Sequence, residues 1–550
     1  MLGGRGSDPA TGRRAPASHR IAGAALAARG ALSRHRAFAI ALAAGAALRI
    51  VTELGYRWAF WFNDSFDYVA IAQRLRPDPM RPIGYPILLW LVGQVHSLLL
   101  ITSVQHLLGL GTAAAGYVLL RRRFGLPGWG ATLAMVPVLF DAFQIQLEQL
   151  LLADTLFTFL AVAAFAVLCW LPAPRGRGMN AWQAAAAGVL LAFASLTRGV
   201  GIPLIVLAVA YLIVCRAGWR AVTAVCAAAA APLAGYILWF HAVNGQFALD
   251  STDGIYLWGR TAAFAECDVI KPPPAQAWLC PRLPPAQRAA SSAQVWQPTS
   301  PLRWQHGQVF SARENDLAMR FALRAIAAQP GGYANAVFTS VGRAFTWNRT
   351  SYPTSYTASL YTFAGTKTWL PTWPEADGRT AAEVARSYAD GAAATAVVQP
   401  YAGLMRWYQR YVYLRGTMVG LILVAAPAAA LAGLVLRRRA RRQPSGSPRC
   451  ADPAARPATA AGQARPAETP AAWLCWSAAV ALLLIPALTV DFDYRYVLPA
   501  VPFGCLAAAL AARRCLVAAG HFHAGQPPRR CRNSSAASIR TDRELTRSDG

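Results

Sequence analysis

The stretch Trp61-Phe62-Asn63-Asp64-Ser65-Phe66-Asp67-Tyr68 places two carboxylates among aromatic side chains. It directly follows the first long apolar segment, 37–54. An ionisable side chain at the end of a membrane span needs a functional or structural reason. Asp64 and Asp67 are therefore the first candidates for chemistry, provided that the chain crosses a membrane.

The composition of the 550-residue chain is that of a multi-pass membrane protein. Hydrophobic residues make up 55% of the sequence and charged residues 14%, whereas soluble domains have about 25% charged residues. The net charge of +28 is spread over short arginine runs between apolar segments and over both tails. This distribution is typical of membrane topology and does not indicate nucleic-acid binding.

Ten apolar runs approach or exceed the length of about 20 residues that spans a bilayer. They lie at 37–54, 97–120, 127–145, 148–171, 181–197, 199–215, 219–242, 413–436, 471–490 and 495–512. If the N-terminus is inside, arginines concentrate in the inner connections. The positive-inside rule therefore predicts a plasma-membrane protein with both termini in the cytoplasm and with 55–96 and 243–411 outside.

The sequence predicts an all-α polytopic membrane bundle with an inserted, mixed extracytoplasmic domain. Its parts are a basic cytoplasmic tail (1–36), a core of seven spans (37–242) with the first outer loop (55–96), the outer domain (243–411), the last spans (412–515) with an inner linker (443–470), and a disordered cytoplasmic tail (516–550). Cys267 and Cys280 fall in the outer domain, where disulfides form, and are a disulfide candidate. The ten cysteines show no zinc-site spacing.

Four segments near the outer membrane face carry a recognisable pattern. Asp64 is followed by Tyr68, then come Arg81-Pro82-Ile83-Gly84-Tyr85-Pro86, Leu196-Thr197-Arg198-Gly199-Val200-Gly201 and Asp493-Tyr494-Arg495-Tyr496-Val497-Leu498-Pro499. In this order they resemble the GT-C glycosyltransferases, which depend on a phospholipid carrier. The resemblance is greatest to the branch of lipid A aminoarabinose transferases and protein O-mannosyltransferases.

The family typically reads Asp-Glu-x-x-Tyr at the first motif, and this chain departs from it. Asp64 and Tyr68 match, but Ser65 stands where the family has glutamate, and Asp67 lies one residue before the tyrosine. The resemblance implies transfer of a sugar from a polyprenyl-phosphate donor to an extracytoplasmic glycan, lipid or protein of the cell envelope.

Such a transfer needs a carboxylate to take the proton of the acceptor hydroxyl. Asp64 is the candidate base, and Asp67 is a supporting catalytic residue that orients a neighbour or binds a metal. A single base with a departing phosphate fits inversion. The structural alternative for Asp64 is a cap on a helix that begins near Phe66.

The leaving phosphate needs fixed positive charge, which planar guanidinium groups supply well. The candidate substrate- and phosphate-binding residues are Arg81, Tyr85, Asp154, Arg198, Tyr494 and Arg495. For Arg198 and Arg495, contact with lipid headgroups is the alternative, and for Asp154 it is a buried pairing with an arginine. No cofactor or metal is predicted, although a divalent cation stays open.

The rival function is a transporter or flippase of lipid-linked saccharides that binds its cargo without chemistry. Transporters commonly contain internal repeats and broken helices at the membrane midplane. Here no repeat is evident and the polar residues collect at one face. This asymmetry favours the enzyme, whose partners are the lipid-linked donor, the acceptor and membrane lipids.

Overall fold

The computed structural model describes residues 35–170, 180–297, 300–302, 310–375, 377–442 and 468–524. Its helices and strands are, in order, α1 (Arg36–Gly55), β1 (Tyr56–Arg57), α2 (Asn63–Arg74), α3 (Gly84–Gly93), α4 (Leu98–Val118), α5 (Gly128–Phe140), α6 (Ala142–Gln149), α7 (Asp154–Trp170), α8 (Ala181–Thr197), α9 (Ile202–Val214), α10 (Trp219–Asn244), α11 (Asp253–Ala262), α12 (Cys267–Ile270), α13 (Ser291–Trp296), α14 (Ala312–Ala328), α15 (Pro330–Arg343), α16 (Ser355–Ser359), α17 (Ala381–Ala389), β2 (Ala396–Val397), α18 (Tyr401–Tyr411), α19 (Gly416–Arg442), α20 (Glu468–Thr489), α21 (Tyr494–Val497) and α22 (Ala500–Ala524). A π-helical turn, Leu119–Arg123, continues α4, and short 3-10 helices are Gly199–Gly201, Pro274–Leu279 and Pro285–Gln287.

The described residues form an all-α polytopic membrane protein, as the sequence predicts. Five helices are long and apolar enough to cross a membrane: α1, α4 with its π turn, α10, α20, and the segment Tyr494–Val517. Two bent pairs, α5 with α6 at 52° and α18 with the first part of α19 at 54°, raise the number to seven. All ten predicted spans are helical, but α7, α8 and the Gly199–Val214 helix are shorter than 18 residues, so the count of ten stays a prediction.

The break between α5 and α6 has a local cause. Pro137 lies inside α5, and Asp141 ends that helix while its carboxylate accepts the backbone N–H groups of Phe143 and Gln144 at 2.8 and 3.0 Å. An aspartate in this position caps the new helix. The chain therefore turns at this end of α5 before α7 begins at Asp154.

The outer domain is attached to the first outer loop by backbone and side-chain contacts. Tyr56 pairs with Val397 in an antiparallel two-stranded sheet, β1 with β2. Buried apolar residues of the loop, including Phe60 and Phe66, form one cluster with Val384 and Met405 of the outer domain. The described part of 243–411 is made of helices and irregular segments with the single strand β2, and Cys267 and Cys280 form a disulfide.

The membrane bundle has its own core. A large buried apolar cluster joins α4, α5, α7, α8, α20 and α22, with Phe165 and Phe503 in edge-to-face contact at 5.0 Å. Helix α22 continues to Ala524, so the predicted disordered tail is helical from 516 to 524, because the apolar sequence Cys515-Leu516-Val517-Ala518-Ala519 extends it. The predicted tail before residue 35, the linker from 443 to 467 and the tail after 524 lie outside the described residues.

Candidate active site

Helix α2 begins two residues earlier than a cap at Asp64 would require. It starts at Asn63, and its first turn is closed by Ser65, whose Oγ accepts the Phe62 backbone N–H at 2.9 Å. Ser65 thus uses the position of the family's glutamate for helix capping. The capping alternative for Asp64 is wrong, because its carboxylate faces side-chain cations instead.

Asp64 lies between two guanidinium groups from distant parts of the chain. Its Oδ1 accepts Arg81 Nη2 at 2.6 Å, and its Oδ2 lies 2.9 Å from Arg495 Nη1. Burial raises the pKa of Asp64, but Arg81 and Arg495 together lower it by more, so its pKa lies below the ordinary value. Asp64 is therefore an ionised carboxylate held in two charge-assisted contacts.

Helix α3 packs closely against the end of α8. This contact positions two arginines, one just before α3 and one just after α8. A Cβ on Gly84 would lie 2.7 Å from the Leu196 carbonyl, so only glycine permits this approach. The contact places Arg81, just before α3, on the same side as Arg198, just after α8. The guanidinium of Arg198 forms an ion pair with Asp154, which begins α7.

Arg198 and Arg495 share an aromatic neighbour, Tyr496, which is not among the predicted site residues. The ring centre of Tyr496 lies 5.1 Å from Arg198 Cζ and 5.3 Å from Arg495 Cζ. Guanidinium groups stack favourably on such rings. The predicted partner, Tyr494, points elsewhere: its hydroxyl oxygen accepts the Thr350 backbone N–H at 2.6 Å.

The predicted residue Tyr85 also lies outside the ion-pair cluster. It is fully buried, and its hydroxyl donates to Gln105 Oε1 at 2.7 Å. Its ring packs edge-on against Tyr68 at 5.1 Å, and Arg81 Cζ lies 6.0 Å from the centre of the Tyr68 ring. Tyr85 thus supports the residue that contacts Arg81.

A second carboxylate, that of Asp493, lies beside Arg495 and accepts a hydrogen bond from a tyrosine of the outer domain. Asp493 Oδ2 lies 3.5 Å from Arg495 Nε and accepts the Tyr361 hydroxyl at 2.7 Å. Burial raises the pKa of Asp493 despite the lowering effect of Arg495. Tyr361 therefore links the outer domain to Asp64 through Asp493 and Arg495, a connection that no local motif indicates.

Asp67 lies one turn after Asp64 on α2 and has a different electrostatic state. Its Oδ2 is 3.5 Å from Arg81 Nε, and Glu375 of the outer domain hydrogen-bonds to it. Burial raises the pKa of Asp67 well above its ordinary value, and Glu375 raises it further although Arg81 lowers it. The pKa of Asp67 is therefore raised while that of Asp64 is lowered, although both carboxylates lie beside Arg81.

The cluster unites predicted residues from five segments of the chain: Asp64, Asp67, Arg81, Asp154, Arg198 and Arg495. The buried Nε atoms of Arg81 and Arg495 form no hydrogen bond within the described residues, although carboxylate oxygens of Asp67 and Asp493 lie 3.5 Å from them and buried donors are usually satisfied. No group of three or more His, Cys, Asp or Glu side chains in the described ranges is arranged to hold a metal ion. The arrangement can bind an anion next to an ionised carboxylate.

Known proteins provide a comparison of fold. No protein-family model matches the chain, and no curated protein matches it. It is similar to the structure of the S. cerevisiae protein O-mannosyltransferase Pmt1–Pmt2 complex bound to the sugar donor, with 17% identity and a TM-score of 0.30. That similarity covers 44% of this chain and 36% of the other.

Two further solved structures are similar over most of this chain. The Archaeoglobus fulgidus oligosaccharyltransferase in the apo form has 12% identity and a TM-score of 0.36, covering 87% of this chain and 50% of that one. ArnT from Cupriavidus metallidurans bound to undecaprenyl phosphate has 13% identity and a TM-score of 0.32, covering 86% and 77%. At identities this low the likenesses concern the fold alone.

Proposed function

We propose that this protein is a GT-C-type membrane glycosyltransferase that moves a sugar from a polyprenyl-phosphate donor to a hydroxyl-bearing acceptor of the cell envelope. The observation that carries the proposal is the ionised Asp64 between Arg81 and Arg495. Three cations surround it, since Arg198 also lowers the pKa of Asp64. A carboxylate of this kind can serve a proton transfer, and the arginines can bind a phosphate.

The donor phosphate competes with Asp64 for its two arginines. Arg81 and Arg495 each keep a buried Nε donor that forms no hydrogen bond within the described residues, and the phosphodiester of the donor brings two unesterified oxygens to such donors. When the guanidinium groups turn to the phosphate, Asp64 loses the contacts that lower its pKa. Donor binding thereby makes Asp64 a stronger base.

The reaction follows as a single displacement. The acceptor oxygen attacks the anomeric carbon, the bond from that carbon to the phosphate oxygen breaks, and Asp64 takes the proton of the acceptor hydroxyl. The polyprenyl phosphate leaves with the bonding electron pair, held by Arg81 and Arg495. Attack opposite the leaving phosphate inverts the anomeric centre.

The same proposal includes the topology. Arginine-rich inner connections support cytoplasmic termini and an outward-facing Asp64. The Cys267–Cys280 disulfide supports an outer location for 243–411, since disulfides persist in oxidising compartments. No cofactor takes part in the proposed displacement, and whether a divalent cation assists is measured by running the assay with a cation and with a chelator.

The experiment reconstitutes the full chain in liposomes with radiolabelled polyprenyl-phosphate sugars and compares it with Asp64→Asn. We expect donor consumption to be lost in this variant while its thermal unfolding remains cooperative. Asp316→Asn is the matched control, because Asp316 is exposed and pairs only with Arg320 on α14. Unchanged consumption in Asp64→Asn contradicts the base, and movement of intact lipid-linked saccharide without consumption supports the flippase.

A further inference from the structure

Arg349 of the outer domain is surrounded by aromatic rings. Its Cζ lies 3.5 Å from the ring centre of Phe143, 4.8 Å from that of Tyr494 and 5.9 Å from that of Tyr413. A guanidinium stacked on a ring keeps its N–H edges available for oxygen atoms. Arg349 is therefore fixed by stacking while its hydrogen-bonding capacity is unused.

A second arginine joins the same set of rings. Arg343 Cζ lies 4.1 Å from the ring centre of Tyr352. Tyr352 contacts Phe492 at 6.0 Å between ring centres, and Phe492 contacts Tyr494 at 4.8 Å. Arg343 and Arg349 thus flank a continuous row of aromatic rings, and the two arginines with these rings are called the arginine–aromatic cluster below.

The cations of the cluster have no carboxylate partner within the described residues. Neither Arg343 nor Arg349 donates a side-chain hydrogen bond or forms an ion pair in that part of the chain. Asp141, the acid that acts most strongly on Arg349, already accepts the backbone N–H groups of Phe143, Gln144 and Leu414. Neither Arg343 nor Arg349 therefore has a carboxylate within ion-pair distance in the described part of the chain.

A third arginine, Arg260, lies at the end of the row of rings where Arg343 contacts Tyr352, and it is buried. It is 2% exposed, and its Nε and Nη2 have no hydrogen-bond partner within the described residues. Its Nη1 lies 3.7 Å from Asp491 Oδ1, the atom that accepts the Tyr352 hydroxyl at 2.7 Å. Two buried donors of Arg260 are thus left unpaired by the described residues beside the row of rings, and buried donors without acceptors are uncommon in proteins.

We propose that the arginine–aromatic cluster is an anion-binding subsite, separate from the Asp64 centre, that takes a phosphate or carboxylate group. The N–H edges of Arg343 and Arg349 bind the anion's oxygens. The rings pack against the carbon skeleton that carries it, as aromatic faces do with sugars and glycerol. The subsite shares no cation with the Asp64 centre and does not depend on the proposed reaction.

The anion has two possible sources, a lipid headgroup of the outer leaflet or an acidic group on a saccharide. The test uses the delipidated full chain in a neutral detergent. One arm titrates inorganic phosphate and glucuronate against chloride at matched ionic strength. The other arm compares short-chain phosphatidylglycerol with phosphatidylcholine, and both arms record binding by the shift of the thermal unfolding midpoint and by native mass spectrometry.

We expect Arg349→Gln and Arg343→Gln to weaken anion binding by about 10- to 100-fold, the effect of losing a hydrogen bond to a charged group. Arg349→Lys keeps the charge and is expected to retain part of the binding if Arg349→Gln fails to fold. Arg320→Gln is the matched control, because Arg320 is 66% exposed and pairs with Asp316 on α14.

Binding of phosphate and glucuronate supports a saccharide acid, and selective binding of phosphatidylglycerol supports a headgroup. Either result supports the subsite. The proposal is overturned if no anion acts beyond chloride, or if Arg320→Gln weakens binding as much as Arg349→Gln. Donor consumption is not measured here, so a failure of this subsite is distinguishable from a failure of the proposed reaction.

Discussion

Replacing Arg495 tests whether the contacts at Asp64 organise the site. Arg495 Nη1 lies 2.9 Å from Asp64, its Nε lies 3.5 Å from Asp493, and its side chain is 10% exposed. Arg495→Lys keeps the positive charge, but an ammonium group lacks the planar fork that addresses two carboxylates at once. We expect the loss of one charge-assisted contact, about 1.5–3 kcal/mol, which corresponds to roughly 10- to 150-fold in donor turnover.

Arg495→Met removes the charge and leaves one side of Asp64 unpaired in a buried site. Breaking a buried ion pair from one side costs about 3–5 kcal/mol. We therefore expect a larger loss of stability than in Arg495→Lys, together with the loss of donor turnover. If Arg495 binds through its planar fork, donor turnover is highest in the wild type, lower in Arg495→Lys and lowest in Arg495→Met. If Arg495 only contacts lipid headgroups, arginine and lysine serve equally well and Arg495→Lys keeps wild-type turnover.

The assay measures turnover of radiolabelled polyprenyl-phosphate sugar in liposomes and the thermal unfolding midpoint of each variant. Arg74→Lys is the control, because Arg74 is 38% exposed and its pairing with Asp78 at 3.4 Å is worth at most about 1 kcal/mol. Wild-type turnover in Arg495→Lys refutes the reasoning, and so does an equal loss in Arg74→Lys.

Three further predictions concern neighbouring residues. Tyr361→Phe removes the donor to Asp493 and is expected to lower the free energy of unfolding by about 1.5–3 kcal/mol in chemical denaturation; an unchanged value excludes the link from the outer domain. The pKa of Asp67 is higher in the folded than in the unfolded chain. The protonated Asp67 therefore contributes stability that is fully present below its unfolded pKa and is lost as the pH rises through its folded pKa. Asp67→Asn is expected to flatten this dependence of the unfolding midpoint on pH, and identical curves contradict the raised pKa of Asp67. Glu148→Gln leaves the buried Arg49, bonded at 2.7 and 2.8 Å, without its counter-charge, so a loss of about 3–5 kcal/mol is expected, and a fully stable variant contradicts this.

The sequence predicts the membrane bundle and the cations around Asp64 because both depend on rules that act along the chain. Apolar runs predict the helices, and the positions of arginines predict which side each connection faces. Charged side chains of the outer loop and of the outer span ends are then expected at one face, and Arg81, Arg198 and Arg495 are of this kind. Tyr496 is missed because Tyr494 and Tyr496 lie on one short helix, and which ring meets the arginines depends on contacts with Thr350 and Arg198 that the sequence does not show.

The contributions of the outer domain cannot be predicted in this way. Tyr361 reaches Asp493 across 132 positions of the chain, and Glu375 meets Asp67 from an irregular segment without periodicity. Such contacts follow from the packing of 361–405 against the first outer loop and from the pairing of β1 with β2. Long-range packing of this kind leaves no local signal in a single sequence.

The replacement of the family's glutamate by Ser65 is the feature that these contacts explain. Ser65 closes the first turn of α2, so the position adjacent to Asp64 carries no charge. The second acid lies one turn later at Asp67, where burial and Glu375 raise its pKa. Asp64, whose pKa is lowered, is the carboxylate held between Arg81 and Arg495, and the proposed single displacement uses one such base.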